Sequence, residues 1–464
     1  MTVIEALADE QFLPRYGFPI GLLRLRVLAV TESDKPDGKP YVREEDQYRL
    51  ERPGLLAMRE YVPGASFFVG NKVVTSHGLL KHWTGENLNT AIGFRGQMAE
   101  CVNGHRFYSF NADLGPCSVC GAAERKAEPQ QLLFPRFGFS TAAWDRPQFR
   151  GAPTPPIGKP ELLTIVRLDN ERPDFGGLQG VMARYQEDGE LLVINSGSGE
   201  RGFAVCLNCG YSESELSFFK HRPEDLPKSY EHHAPLQFAL TKNGRSWIDC
   251  RKYNGKNDLR RQILTARQVT DIAVIDVPQL VNADLSVATT LAHAFRLAGA
   301  QLLSLDSREL GSFVMPTDSG PHCGLVLFDT MPGGAGHVAE LLESAADSIG
   351  KLTEVLFVNE AHHERCVSAC LDCLLSYETQ FDHDQGLLAR AITWEFWDCL
   401  RNHRAWSNSA SHASPQVLPS APSATDASAP SAKDRLERAR RKRKSEPLLP
   451  FASTVSWASL NAEV

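Results

Sequence analysis

The sequence predicts an α+β, multidomain chain in which Cys-rich knuckles are inserted between mixed strand and helix regions, with a disordered C-terminal tail. Three observations carry this expectation. Short β-branched runs are bounded by Gly and Pro. Nine of the eleven cysteines gather with histidines into three clusters. From Ser407 to Ala432 the chain turns to Ser, Ala and Pro, with too little apolar surface to offset the entropy of ordering it.

Along the chain, 1–95 reads as strand-rich, with FPIGLLRLRVLAV and ASFFVGNKVVTSHGLL as strand runs. A short helix in RPGLLAMREYVPG lies between them, closed by Pro63 and Gly64. Residues 96–160 hold the first Cys/His cluster and a Pro-rich stretch. Residues 161–285 carry strands in ELLTIVRL, ELLVINSG and DIAVIDV (271–277) around the second cluster. In 286–404, 3.6-residue periodicity predicts a helix over 286–305; a strand over 325–328, a helix over 336–352 and an amphipathic helix over 386–402 are expected to follow. The tail occupies 405–464, and no internal repeat of 20–50 residues is evident.

Hydrophobic residues make up 42% of the chain and charged ones 23%, the composition of an ordinary globular protein. No run is long and apolar enough to span a membrane, and the N-terminus lacks the basic-then-apolar pattern of a secretory signal. A cytoplasmic location is therefore expected. The net charge is −7. Residues 433–444 (KDRLERARRKRK) carry eight basic side chains against two acidic ones, so an acidic body of −13 bears a tail of +6. Within that tail Arg438, Arg440, Arg441, Lys442, Arg443 and Lys444 are candidates for phosphate contacts on nucleic acid.

In a reducing compartment, clustered cysteines point to metal rather than disulfides. The first cluster is Cys101-x3-His105-x11-Cys117-x2-Cys120, followed by Gly121. Two ligand pairs a dozen residues apart can converge on one tetrahedral ion, as in zinc ribbons. The glycine suits a knuckle turn whose amides face a thiolate. The second begins Cys206-x2-Cys209-Gly210 and needs partners downstream, from His232, His233 and Cys250. His233, nearer the Ala-Pro turn, is the favoured histidine. The third, Cys366-x3-Cys370-x2-Cys373, packs three thiols too closely for ordinary core cysteines. Its fourth ligand is open among His362, His363 and His383. Two to three Zn2+ ions per chain are expected, held in closed, structural sites. Neither H-x-E…P-C-x-x-C nor H-E-x-x-H occurs. Cys323 and Cys399 read as buried apolar thiols.

Other chemistry is sparse. No G-x-x-x-x-G-K-[ST] occurs in the 464 residues. The Gly-rich stretch Phe328–His337 could cradle a phosphate at a helix start, but tight turning and close packing account for its glycines more simply. Asp329 is placed to cap that turn. Asp306, Glu309 and Asp329 form the only carboxylate grouping to consider for a metal-dependent nuclease or phosphate-transfer enzyme. A protein-only assembly scaffold is the remaining alternative.

Several segments together resemble a family. LVLFDTMPGGAGH and the third cluster with its following CLLSYETQFDHDQGLLAR are similar to the MrfA-like zinc-binding domain of the C-terminal region of bacterial DEAD/DEAH-type helicases. FLPRYGFP and RPGLLAMREYVPGASFFVGNKVVTSHGL extend the resemblance over most of 10–400. It implies zinc on Cys366, Cys370 and Cys373. Because no fourth cysteine follows Cys373 closely, His383 is the ligand the resemblance leaves to complete the set. It further implies a non-catalytic accessory subunit that partners a separate helicase on DNA. Stand-alone members of the family exist, among them the DrmB component of the DISARM phage-defence system, and the resemblance implies such a split subunit in phage defence or DNA repair.

Overall fold

The first apolar run splits into Leu22–Arg26 (β1) and Leu28–Thr31 (β2), and Tyr41–Glu44 (β3) pairs antiparallel with β2. Leu50–Pro53 (β4) leads into the helix Gly54–Glu60 (α1), which starts after Pro53, whose fixed φ suits a helix entry. Ser66–Val69 (β5) and Lys72–Thr75 (β6) form a hairpin whose turn holds Gly70 and Asn71 at positive φ, and Gly78–Leu79 (β7) follows. A second hairpin joins Phe94–Glu100 (β8) to Arg106–Ser109 (β9). Gln130–Phe134 (β10) pairs with β8, and Phe139–Ser140 (β11) completes a small sheet of order β4-β1-β11-β7.

The computed structural model describes residues 21–31, 41–45, 47–81, 94–110, 113–118, 120–149, 157–158, 160–164, 170–198, 202–214, 233–236, 250 and 259–406. The stretch 407–432, expected to be disordered, and the basic residues Arg438, Arg440, Arg441, Lys442, Arg443 and Lys444 lie outside them.

The large sheet is built from Glu161–Thr164 (β12), Asn170–Arg172 (β13), Met182–Asn195 (β14), Phe203–Cys206 (β15), Ser212–Glu213 (β16) and Leu259–Asp276 (β17). The helix Leu285–Leu302 (α2) then intervenes before Leu310–Thr317 (β18) and Gly320–Asp329 (β19). Its main path runs β12-β14-β17-β10-β8-β9. β13 pairs with β14, while β15 and β19 pair with β17 and carry β16 and β18 outward. Only β10–β17 is parallel in this sheet, so the fold is α+β, without the crossover helices a parallel sheet requires. β17, rich in Val, Ile and Thr, is long enough for several partners and serves as the spine. Strands from the sequence regions 96–160, 161–285 and 286–404 all enter this one sheet.

Four helices follow: His337–Glu343 (α3), Ala345–Phe357 (α4), Glu360–Arg365 (α5) and Gln380–Asp384 (α6). The last described helix is Arg390–Arg401 (α7). The single helix expected over 336–352 is thus two, parted at Ser344, whose φ and ψ leave the helical region. The helix expected from 386 begins at 390, because Gly386 sits at positive φ and Ala389, at ψ 65°, lies outside the helical region. α2 is buried along most of its length against β18 and β19 below and α4 and α7 above. At Gly299 an added Cβ would lie 2.6 Å from Leu341 Cδ1, so the missing side chain is what lets α3 approach. This core, with Leu291, Phe295, Leu352, Phe396 and Trp397, is separate from a second one. The second joins β1, α1 and β11 to Val193, Phe203, Val205 and Leu264 of the large sheet. Among the described residues no helix is long and apolar enough to cross a membrane.

Candidate metal centres

Three groups of four ligand atoms assemble, each within 4.8 Å of one another: Cys101, His105, Cys117 and Cys120; Cys206, Cys209, His233 and Cys250; and His362, Cys366, Cys370 and Cys373. A tetrahedral zinc site with Zn–S near 2.3 Å has S···S edges of about 3.8 Å. The observed edges are 3.8 Å for Cys101–Cys120, 4.0 Å for Cys206–Cys250, and 3.8 Å for both Cys366–Cys373 and Cys370–Cys373. A disulfide would need about 2.05 Å. The donor sets, three thiols and one imidazole each, therefore fit a closed zinc site.

The first site sits at the tip of the β8–β9 hairpin. Cys101 N–H donates to His105 C=O at 3.0 Å, and Gly104 at positive φ closes the turn, which explains the three-residue gap between the ligands. His105 Nδ1 lies 3.6 Å from Cys101 Sγ. The second pair forms a knuckle in which Gly121 N–H donates to Cys117 C=O at 2.8 Å and Gly121 takes φ +71°. Hydrogen bonds from the Ala122 backbone and the Asn103 side chain lower the exposed Cys120 thiol to about 6, already favouring the thiolate a metal needs.

In the second site Cys206 ends β15 and Gly210, at φ +85°, turns the chain so that Tyr211 N–H points at Cys209 Sγ at 3.4 Å. His233 Nε2 is 3.2 Å from Cys209 Sγ, its ring stacks on Tyr211 at 4.7 Å, and Cys250 N–H donates to His233 C=O. His232 lies outside the described residues. This knuckle docks on β7: Leu79 N–H donates to Gly210 C=O, and a Cβ at Gly78 would sit 2.2 Å from that oxygen.

The third site corrects the expected fourth ligand. His362, not His383, joins the three thiols, with Nε2 3.2 Å from Cys370 Sγ. Asn359 caps α5 by accepting from His362 N–H, so His362 and Cys366, four residues apart, reach the same point. His383 lies on α6 beside Asp384, at 3.8 Å. A signal for His362 was present: His362-x3-Cys366 mirrors Cys101-x3-His105. Burial, then the nearby Arg390 cation, push the His362 imidazole below its usual value, towards the neutral form that ligates metal. We expect His362→Gln to lower bound zinc by one equivalent per chain, measured by elemental analysis, and His383→Gln to leave it unchanged. The opposite pattern would restore His383 as the ligand.

The carboxylates considered for a nuclease are otherwise engaged. Asp329 is fully buried, and its oxygens accept from Ala335 N–H at 2.7 Å and from His337 and Val338 N–H at 3.2 Å. Gly336 N–H goes to Asp271 at 3.2 Å. The amides of the Gly-rich turn thus face two carboxylates of the sheet rather than a free phosphate site. A Cβ at Gly334 would lie 2.3 Å from Asp271 Oδ2, and Gly334 has φ +75°, so both space and backbone demand glycine there. Asp306 is exposed and pairs with Arg308, which holds its carboxyl well below the usual range. Glu309 faces His337 at 3.7 Å. Cys323 is buried, and burial beside Asp276 raises it to about 11; Cys399 is half-buried on α7.

Burial and the Asp329 charge raise the Asp271 carboxyl, against lowering bonds from Gly336 and Asp188 N–H. A folded-state pKa above the unfolded one means the native chain holds the extra proton between the two values. Stability from this group is therefore lost as pH rises through the folded value. Asp271→Asn is expected to raise the melting temperature at pH 7, with the advantage shrinking as pH falls towards about 4. An advantage independent of pH would refute the assignment.

Fold and sites together define a protein with several zinc-binding centres. Residues 291–374 match the model of the MrfA Zn-binding domain, a span that holds all four members of the third site and excludes His383. Among solved structures, the crystal structure of the DUF1998 helicase MrfA bound to DNA is similar over 81% of this chain and 33% of its own, at 8% identity and a TM-score of 0.34. The chain therefore spans about a third of that protein's length. No curated protein matches the sequence.

Proposed function

We propose that this chain is a non-catalytic zinc-binding accessory subunit that partners a separate helicase on DNA, in the bacterial cytoplasm, serving phage defence of the DISARM kind or DNA repair. The observation that carries the reading is the match of residues 291–374 to the MrfA Zn-binding domain with a full ligand set at its end. MrfA itself is a helicase. Four protein donors at each centre favour structural metal over a site with a position open for water.

The test is co-purification of the tagged chain with any helicase encoded in neighbouring genes, followed by ATPase and DNA-binding assays of each alone and together. Complex formation with tighter DNA binding by the pair is expected. Deleting residues 433–444 should reduce the salt dependence of that binding, because fewer phosphates are neutralised. Failure to bind any helicase, with no change in DNA affinity, would refute the proposal. Binding to the helicase with no DNA effect would favour the scaffold reading.

A further inference from the structure

Arg390, the first residue of α7, is fully buried. Its guanidinium donates to the carbonyl oxygens of Leu356 at 2.8 Å, His363 at 3.3 Å and His362 at 3.5 Å, and to that of Cys366. Nη1 lies 3.5 Å from His363 Nδ1. Its own N–H and that of Ala391 donate to Ser368 and Val367 C=O at 3.0 and 2.9 Å. One residue thus ties down the end of α4, the end of α5 and the segment bearing Cys366. Among the described residues no carboxylate pairs with this cation, and its Nε is buried without a hydrogen-bond partner.

A buried cation without a counter-anion is costly, and packing alone does not account for it. The third zinc site supplies the missing charge. Three thiolates and a neutral imidazole around a dication leave one net negative charge, itself in a partly buried setting. We propose that Arg390 is the counter-ion and positioning residue of this centre: its fixed positive charge balances the zinc–thiolate unit, and its fork of donors holds the ligand-bearing carbonyls in place. The same balance explains why a cation with five donors is used where a neutral donor could bond carbonyls equally well.

The experiment uses the full-length chain loaded with zinc and challenged with a chromophoric chelator. Outer-shell changes of this kind alter metal affinity about 10- to 100-fold. Arg390→Met is expected to speed loss of one zinc equivalent per chain by a factor in that range. Arg390→Lys, which keeps the charge and loses the fork, should fall between Arg390→Met and the parent chain. The charge role is separated from the positioning role in a Cys373→His background, where two thiolates and two imidazoles leave the site neutral. There the Arg390→Met effect should shrink severalfold. An equal effect in both backgrounds would reduce Arg390 to a packing and hydrogen-bonding role and overturn the counter-ion assignment. Zinc loss at the parent rate in both Arg390 variants would overturn the proposal entirely. If Arg390→Met does not fold, the Arg390→Lys chain and the sulfur-to-metal charge-transfer band of its cobalt-loaded form decide. An unchanged rate and band would refute the proposal.

Discussion

Stripping zinc from the chain at neutral pH is expected to abolish cooperative unfolding of the metal-bearing regions, rather than merely lower their melting temperature. A structural zinc contributes on the order of 10 kcal/mol to folding a small site, while a whole domain is stable by roughly 5–15 kcal/mol. Loss of any one ion therefore removes as much free energy as the surrounding structure has to spare. The local architecture supports this. Cys101, Cys117, Cys206, Cys250 and Cys366 are buried, and each knuckle turn is otherwise closed by about two local backbone hydrogen bonds. Without a cation, burial pushes the Cys373 thiol up to about 12 and raises Cys209 well above its ordinary value. Both stay protonated, so zinc binding must release protons and weaken as pH falls. Calorimetry and near-UV circular dichroism before and after chelation, with recovery on adding zinc back, measure the effect. Cys370→Ser should reproduce it for the C-terminal region alone. An unchanged transition after verified zinc loss would show that packing alone sustains these regions.

The second large effect is expected at Asp329. Asp329→Ala removes the buried acceptor of three backbone N–H groups, one of them fully buried, and with it the cap of the turn leading into α3. The expected loss is about 2–4 kcal/mol, partly offset because Asp271 no longer faces a like charge. Asp306→Ala, on an exposed side chain paired only with its neighbour Arg308, should change stability by less than about 0.5 kcal/mol. Urea unfolding of both variants tests the contrast. The same pair bears on catalysis: a nuclease built on these carboxylates would lose magnesium-dependent DNA cleavage in both variants, whereas a structural Asp329 changes stability and no cleavage. Cleavage by the parent chain that disappears in both would revive the enzymatic reading.

Much of this was legible in the residues themselves. The knuckle pairs Cys117/Cys120 and Cys206/Cys209 announce themselves because a tetrahedral ion needs two ligands from one tight turn, and the following Gly121 and Gly210 supply the positive φ. The strand runs, α1 and α2 follow from local periodicity. The break at Ser344 was not legible, since no Gly or Pro marks it and only the backbone angles of Ser344 part the two helices. The sharing of one sheet by three sequence regions was also hidden, because β10–β17 and β15–β17 pair across long separations in the chain.

Residue types and spacing alone pointed to three clusters of thiols and imidazoles and named all four members of the first. Ligand type and local spacing are chemical facts of the chain, set within a dozen residues. Packing settled what spacing left open: His233 with Cys250 in the second set, His362 in the third, and Asp329 and Asp271 as the acceptors for the Gly-rich turn. Those choices depend on which segments the sheet and helices bring together, and proximity between residues far apart in sequence is a property of packing.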